Sequence, residues 1–299
     1  MAPPLPASPP LKQPSPGETV LGILAGSGQF PFLLAGAARE KGWSVVICGF
    51  RGNTDPALEQ KADVFTLLPL GQLNSLIAFF KKHKVRQACM AGAILKPRDF
   101  SFKPDLRAVR LLLRLALKGL GDDAILSAVA AELESEGIRV IRPDDLAPAL
   151  RGPAGILGGR VPTPEEWRDI RFGWNTAKAL GALDIGQCVA VKNGVVIAVE
   201  AVEGTDAALA RAAELAGGGC TLVKTAKPGQ DERLDLPSLG AATLALLARH
   251  AYACLAYEAG NTLFFDLDTA LRTADAASIA VLGIPAEAET FFRAHLPGA

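Results

Sequence analysis

Short apolar runs separated by amphipathic stretches dominate the first half of the chain. The runs are Val20–Ala25, Trp43–Gly49, Asp63–Leu68 and Gln87–Ala91, and a last one, Ile138–Ile141, follows later. Short apolar runs are typical of central parallel strands, and helices between successive strands indicate right-handed βαβ units. The pattern therefore predicts an α/β fold that begins with a Rossmann-like parallel sheet carrying helices on both faces.

A glycine- and proline-rich segment at residues 151–164 divides the chain. At 299 residues the chain is long for one core, so two domains are expected. We expect an N-terminal domain at 19–150, a linker at 151–164 and a mixed α/β domain at 165–285. Residues 1–18 contain seven prolines and are expected to be a disordered tail, with a C-terminal tail at 286–299.

Two local signals support the second domain. Thr163 and Glu166 have the spacing of a capping box and predict a helix start. Asn193-Gly194 lies between two apolar runs, Gln187–Lys192 and Val195–Glu200, which predicts a hairpin with a type I′ turn.

Composition excludes several classes of protein. Basic and acidic residues both number 31, so no net charge favours nucleic acid as a partner. The five cysteines stand apart within apolar runs, so they indicate buried thiols rather than a zinc site or a disulfide framework. Neither a membrane-spanning run nor a secretory signal is recognisable, and we expect a cytoplasmic protein.

The turn after the first predicted strand, Gly26-Ser27-Gly28, is a candidate phosphate-binding loop. Small residues between a strand and a helix N-terminus leave backbone N–H groups able to face phosphate. Pro31 stands where a dinucleotide fingerprint needs its third glycine, which disfavours a Rossmann dehydrogenase. A nucleotide-phosphate loop and a simple tight turn both remain open.

Charged residues also follow other predicted strands or begin helices. Lys96 leaves the strand that ends at Ala91, where open α/β sheets bind their ligands. Asp122 and Asp123 begin a helix, as ligands or as caps. Glu203 and Asp206 stand between a strand end and the next helix, where N–H groups favour anions.

The most unusual stretch is the charged segment Lys224–Gly240. It follows the apolar run Cys220–Val223, and its last residues, from Ser238, are expected to open an amphipathic helix. An irregular, highly charged segment between two packed elements favours a ligand-binding loop, with a solvated connection as the alternative.

These motifs together resemble the LpxI family of UDP-2,3-diacylglucosamine diphosphatases, and the resemblance extends from about residue 19 to residue 284. The matching stretches are Gly26-Ser-Gly28, Gly121-Asp-Asp123, Asp184-Ile-Gly-Gln187, Val199-Glu-Ala-Val-Glu-Gly-Thr-Asp206 and Lys227-Pro-Gly-Gln-Asp-Glu-Arg-Leu-Asp-Leu-Pro-Ser-Leu-Gly240.

The resemblance implies Mg²⁺-assisted hydrolysis of UDP-2,3-diacylglucosamine to UMP and 2,3-diacylglucosamine 1-phosphate in lipid A biosynthesis, with the ligand in an interdomain cleft. It implies that Asp235 binds Mg²⁺ or activates water, with Glu203 and Asp206 as further metal ligands. Lys227 and Arg233 are expected to meet the diphosphate. The remaining expected substrate-binding residues are Gly26, Ser27, Gly28, Lys96, Asp122, Asp123, Gln187, Thr205, Lys224 and Gln230.

A lipid substrate also implies an apolar site and contact with a membrane. The apolar stretch Leu106–Leu117, with its arginines, predicts either a core helix or one that lines a lipid pocket. We expect peripheral association with the inner-membrane surface and a possible homodimer. A non-catalytic nucleotide- or lipid-binding protein and a nucleotide-dependent oxidoreductase are the alternative functions.

Overall fold

The computed structural model describes residues 19–94, 102–116, 122–229, 231–234 and 236–296, except the side chains of residues 116, 122 and 123. The chain forms two compact units, one up to Ala147 and the other from Pro148 onward, and Arg233 and Leu234 group with the first. The predicted tail at residues 1–18 lies outside the described residues.

The first unit contains a five-stranded sheet in the order β3-β2-β1-β4-β5, and all its strands run parallel. Its elements are β1 (Val20–Ala25), α1 (Phe30–Glu40), β2 (Ser44–Phe50), a 3-10 helix (Pro56–Lys61), β3 (Val64–Leu68), α2 (Leu73–Lys82), β4 (Gln87–Ala91), α3 (Leu106–Ala116), α4 (Asp122–Ser135), β5 (Arg139–Val140) and α5 (Pro143–Leu146). The predicted parallel sheet is confirmed.

Alternation along the strands places apolar side chains on both faces of this sheet. In β1, Leu21 and Ile23 pack with Leu34 of α1, whereas Leu24 joins the opposite core with Phe80 of α2. Burying an aliphatic or aromatic side chain of this size contributes about 1.5–3 kcal/mol. The β1 run is apolar throughout because helices cover both sides of it.

The second unit contains a six-stranded mixed sheet in the order β6-β13-β11-β9-β7-β8 and a two-stranded sheet, β10-β12. Its elements are a 3-10 helix (Pro148–Leu150), β6 (Gly155–Leu157), α6 (Pro164–Ala182), β7 (Cys188–Lys192), β8 (Val195–Val199), α7 (Thr205–Ala216), β9 (Thr221–Lys224), β10 (Ser238–Gly240), α8 (Ala241–Arg249), β11 (Cys254–Glu258), β12 (Leu263–Phe265), α9 (Leu267–Ala276), β13 (Ala280–Ile284) and α10 (Ala288–His295).

The predicted hairpin is confirmed. Asn193 and Gly194 join β7 to β8 with φ of 53° and 74°, as a type I′ turn requires. The buried carboxylate of Asp169 on α6 accepts hydrogen bonds from both of their backbone N–H groups, at 2.9 and 2.6 Å. This contact fixes the turn against the helix.

The predicted capping box at the start of α6 is also confirmed. The Thr163 hydroxyl accepts a bond from the Glu166 N–H, and the Glu166 carboxylate accepts one from the Thr163 N–H. Two N–H groups that the first turn would leave without partners are thereby satisfied.

All five cysteines are buried free thiols, as the sequence predicts. Burial raises the pKa of the Cys48 and Cys89 thiols to about 12. Thiols of this kind are nonpolar packing groups rather than nucleophiles.

The segment predicted as a linker, 151–164, instead contributes a strand to the second sheet. Its β6 pairs antiparallel with β13 at the edge of the sheet. The buried hydroxyl of Tyr257 donates a 2.7 Å bond to the Pro153 carbonyl. Glycine is needed at 283, where an added Cβ would lie 2.0 Å from that carbonyl oxygen. Within the segment itself, an added Cβ at Gly152 would lie 2.5 Å from the Tyr257 ring, so close packing accounts for part of the glycine content that suggested a linker.

The expected C-terminal tail, 286–299, contains the helix α10. Phe292 is fully buried with Trp167 and Trp174 of α6. A short helix held by one aromatic anchor has too little periodicity to be recognised from sequence.

The start of α8 also differs from the prediction. Ser238–Gly240 forms the strand β10, which pairs parallel with β12, and the helix begins only at Ala241.

Within the described ranges, no helix is both long and apolar enough to cross a membrane.

Candidate active site

Polar side chains gather at one edge of the six-stranded sheet. The strands β9, β11 and β13 are parallel, and β7 runs antiparallel to both β9 and β8. The carboxyl ends of β8, β9 and β11 therefore share an edge with the beginning of β7. Six residues at or beside this edge form what we call the strand-end cluster: Lys178, Gln187, Glu200, Thr205, Lys224 and Glu258.

A buried lysine organises one half of the strand-end cluster. Lys224 is 6% exposed, and its Nζ donates 3.2 Å bonds to Thr205 Oγ1 and to the Ser238 carbonyl. The Thr205 hydroxyl in turn donates to Glu200 Oε1 at 2.7 Å. A lysine this buried requires such partners, because burying an unpaired charge is costly. The result is a hydrogen-bonded chain from cation through hydroxyl to carboxylate.

A buried carboxylate organises the other half. Glu258 Oε2 accepts bonds from Lys178 Nζ at 2.5 Å and from the Ala226 N–H at 2.8 Å. Glu258 Oε1 accepts a 3.1 Å bond from the Asn261 amide. Lys178 also lies over the Trp174 ring, 5.2 Å from its centroid. Glu258 thus connects α6 to the start of the charged segment after β9.

Two buried polar atoms at the same edge have no hydrogen-bond partner among the described residues. They are Oε1 of Gln187 and Oγ1 of Thr225, and the Thr225 N–H donates to the Gln187 carbonyl at 2.9 Å. Buried polar atoms are nearly always satisfied, by protein, water or ligand. These two atoms are therefore available acceptors or donors beside Lys224.

The motif Asp184-Ile-Gly-Gln187 brings β7 to this edge. An added Cβ at Gly186 would lie 2.0 Å from the Glu200 carbonyl oxygen. Only glycine allows this approach of the two backbones. The motif therefore has a steric role that its sequence alone did not reveal.

The charged segment itself divides between two surroundings. Lys227 Nζ pairs with Asp184 Oδ1 at 2.7 Å. Arg233 Nη1 pairs with Glu134 Oε1 at 2.7 Å, and Leu234 is buried in the core of the first unit. In this structure the two cations that were expected to meet one diphosphate contact different carboxylates.

The proposed metal ligands Glu203 and Asp206 are exposed at the start of α7. Glu203 Oε1 lies 2.5 Å from Arg211 Nη2, and its own backbone N–H, followed by that guanidinium, lowers the pKa of the carboxyl. Across the described part of the chain, no three His, Cys, Asp or Glu side chains gather as metal ligands do. The third expected ligand, Asp235, lies outside the described residues, so the Mg²⁺ site stays a prediction.

The glycine turn after β1 is largely committed to backbone pairing. The Gly26 N–H donates to the Ala91 carbonyl at 2.7 Å, and the Ser27 N–H donates to the Ala93 carbonyl at 2.8 Å. Gly28 has a φ of +92°, which suits glycine. Two of the N–H groups expected to face phosphate are therefore already bonded, which favours the tight-turn alternative.

Several expected site residues lie outside the described part of the structure. They are Lys96, Gln230 and Asp235, together with the side chains of Asp122 and Asp123.

Sequence reasoning missed Lys178, Glu200 and Glu258. Glu258 follows the apolar stretch Cys254–Tyr257, and Glu200 is the last residue of the run Val195–Glu200, so the strand-end argument applied to Glu203 also fits these two residues. Lys178 lies within a long helix, and no local pattern identifies it.

Comparison with protein families gives two matches along the chain. Residues 20–150 match the LpxI N-terminal domain, and residues 153–282 match the LpxI C-terminal domain. A curated Caulobacter vibrioides protein, UDP-2,3-diacylglucosamine pyrophosphatase LpxI, is 34% identical over 275 residues, covering 88% of this chain and 97% of that protein.

Similarity to solved structures is weak. A Mycobacterium tuberculosis glycinamide-RNase-transformylase T is 16% identical over 61% of this chain and 44% of its own, with a TM-score of 0.22. An Anaerococcus prevotii phosphoribosylglycinamide synthetase is 12% identical over 62% of this chain and 39% of its own, with a TM-score of 0.24. This chain thus spans less than half of either protein, and neither score supports an argument about fold. The two domain matches and the full-length relative show that the chain belongs to the LpxI family.

Proposed function

We propose that this protein hydrolyses the diphosphate bond of UDP-2,3-diacylglucosamine, releasing UMP and 2,3-diacylglucosamine 1-phosphate for lipid A biosynthesis. The observation that carries the proposal is the sequence similarity, over nearly the full length, to a curated relative named for that activity. The match covers 97% of the relative, so the catalytic part of that protein has its counterpart here.

The strand-end cluster suits a substrate with a diphosphate. Three ammonium groups lie at or beside one sheet edge. That of Lys178 pairs with Glu258, and that of Lys227 pairs with Asp184. That of Lys224 is connected to Glu200 through the Thr205 hydroxyl. Positive groups held in place before the reaction stabilise charge that builds on phosphate oxygens in the transition state. Rearrangement of the Lys227–Asp184 pair would present Lys227 to a phosphate, because the paired Asp184 carboxylate is half exposed.

Asp235 is the residue that we propose to activate the attacking water or to bind Mg²⁺. The proposal rests on the family resemblance, and the same holds for the diphosphate contacts of Lys227 and Arg233. Mg²⁺ dependence also stays a prediction, and when bound the ion would neutralise phosphate charge. Loss of UMP release with excess EDTA, and recovery with added Mg²⁺, would support it.

The decisive comparison uses Asp235→Ala, the parent and Asp268→Ala, which removes an exposed carboxylate from the first turn of α9. Each is incubated with UDP-2,3-diacylglucosamine in detergent micelles and Mg²⁺, and UMP is measured by chromatography. We expect release by the parent and Asp268→Ala, and a loss of at least a hundredfold in Asp235→Ala, the scale of removing a general base. Equal release by all three would remove Asp235 from the site. No release by the parent, together with retention of nucleotide or lipid, would favour a non-catalytic binding protein.

Finer features of the fold belong to the same proposal. The parallel strand order β3-β2-β1-β4-β5 supports a Rossmann-like first domain. A ligand between the two domains stays a prediction from the resemblance, and so does a homodimer, which light scattering of the purified protein would test.

Because two acyl chains anchor the substrate in a bilayer, we further propose that the protein works at the inner-membrane surface as a peripheral protein. The cytoplasmic location predicted from sequence belongs with this proposal.

A further inference from the structure

Helix α3 of the first unit is apolar on two sides. Its inner side, with Ala108 and Leu111, packs into the core of that unit. Its outer side exposes Leu106 at 78%, Leu113 at 65% and Val109 at 38%. The core alternative for this helix is therefore correct for the inner side only, and packing within the fold does not explain the outer one.

The exposed residues of α3 form a continuous stripe. Leu106, Val109, Arg110, Leu113 and Arg114 follow the i, i+3, i+4, i+7 and i+8 spacing of one helix face. We call these five residues the outer face of α3. On a helical projection the three apolar side chains lie side by side and the two arginines flank them along one border, so the stripe is amphipathic.

The charge on this face is positive. The helix contains no acidic residue. The carboxylate at its start, Asp105, accepts bonds from the N–H groups of Arg107 and Ala108. Arg110 is exposed, and the Arg114 side chain is 77% exposed, with its Nη1 a loose 3.6 Å from Glu132 Oε1.

Two carboxylates that contact α3 are bound to another arginine. Glu132 on α4 and Glu136, just after that helix, both bind Arg107, at 2.5 and 2.7 Å, and Arg107 lies on the inner border of the helix. Two exposed arginines therefore keep their charge toward solvent.

We infer that the outer face of α3 docks the protein onto an anionic lipid bilayer. Exposed leucines inserted at the acyl boundary, beside arginines at headgroup level, are the features that hold an amphipathic helix in a membrane interface. The arginine charge is complementary to anionic headgroups, and each basic residue near such a surface contributes about 1 kcal/mol. The inference rests on the proposed function, because an enzyme whose substrate resides in a bilayer has to bind at the bilayer surface to reach it.

Vesicle sedimentation of the full chain tests the inference. Vesicles of phosphatidylglycerol and phosphatidylethanolamine are compared with neutral phosphatidylcholine vesicles, at low and high salt. We expect Arg110→Gln/Arg114→Gln to weaken binding to the anionic vesicles about 25-fold, from about fivefold per arginine. High salt should remove most of this difference by screening.

Leu106→Gln/Leu113→Gln should weaken binding severalfold at both salt concentrations. The matched control is Leu215→Gln, which changes an equally exposed leucine, 68%, on α7 of the second unit. We expect the control to pellet like the parent. Thermal unfolding should give equal midpoints for all proteins, because the changed side chains lie outside the core.

Three results would overturn the inference. First, the parent does not sediment with the vesicles. Second, Leu215→Gln loses as much vesicle binding as the α3 variants do. Third, the α3 variants bind vesicles like the parent but differ from it in molecular mass in solution. The last outcome would identify the face as a contact between copies of the chain. Hydrolysis of micellar substrate is measured in parallel. If the parent cleaves the substrate but does not bind vesicles, the docking surface is refuted and the proposed function is unaffected.

Discussion

Replacement of Glu258 by alanine should destabilise the second unit and disorganise the start of the charged segment. The change leaves the buried Ala226 N–H without its acceptor, at a cost of about 1–3 kcal/mol. Lys178 also loses its partner, but its side chain is 30% exposed and solvent screens it, so this adds at most about 1 kcal/mol. Together these give about 1–4 kcal/mol, or a fall of roughly 2–16 °C in melting temperature for a unit of this size.

Tryptophan fluorescence can follow this unit alone. Of the three tryptophans, Trp167 and Trp174 lie in the second unit and Trp43 in the first. Urea unfolding of Glu258→Ala in a Trp43→Phe background therefore measures the free energy of unfolding of the second unit. Glu214→Ala, which removes an exposed carboxylate from α7, serves as the control and should change stability by less than about 0.5 kcal/mol.

Glu258→Gln separates the two contributions. The amide oxygen can still accept from the Ala226 N–H, but it cannot neutralise Lys178, so we expect a loss of about 1 kcal/mol or less. Below its melting temperature, Glu258→Ala should also hydrolyse substrate at least tenfold more slowly, because small displacements of substrate-binding groups lower the reaction rate strongly. Identical midpoints and rates for Glu258→Ala and Glu214→Ala would refute the positioning role of Glu258.

Three further predictions follow from the packing. Gly186→Ala should cost about 1–3 kcal/mol, because its Cβ would lie 2.0 Å from the Glu200 carbonyl oxygen. Gly36→Ala on α1, with open space around its Cβ, should be neutral or stabilising. Because Gly36 lies in the first unit, both variants are compared by urea unfolding followed by circular dichroism, which reports on both units. Phe292→Ala should cost about 3–5 kcal/mol by urea unfolding, and unchanged stability would mean that α10 is a tail after all. The five buried thiols should not react with an aromatic disulfide reagent at pH 8 until the protein is denatured, since burial raises their pKa; rapid labelling of the native protein would contradict this.

The sequence predicted the elements whose signals are local. Apolar runs such as Val20–Ala25 mark strands covered on both faces, and Asn193-Gly194 marks a turn that needs two positive φ angles. Both signals depend only on neighbouring residues. Elements fixed by distant contacts were not predicted, as shown by β6, a three-residue strand that exists through its pairing with β13.

In the candidate site too, residues with a local sequence signal were predicted and residues joined by distant contacts were not. Lys224 and Thr205 stand in unusual motifs, and the structure brings them together with Glu200. The Lys178–Glu258 pair joins residues 80 positions apart, and no spacing in the sequence indicates it. The turn at Gly26 was open to two interpretations because its N–H partners are distant in sequence: Ala91 at the end of β4 and Ala93 just after it.

The most direct test of the proposed hydrolysis is a reaction in ¹⁸O-labelled water. The purified protein is incubated with UDP-2,3-diacylglucosamine, and the products are analysed by mass spectrometry. We predict equal amounts of UMP and 2,3-diacylglucosamine 1-phosphate, with one ¹⁸O atom in only one of them, because one water molecule opens one P–O–P bond. An intact substrate, or products without the label, would contradict the proposed hydrolysis.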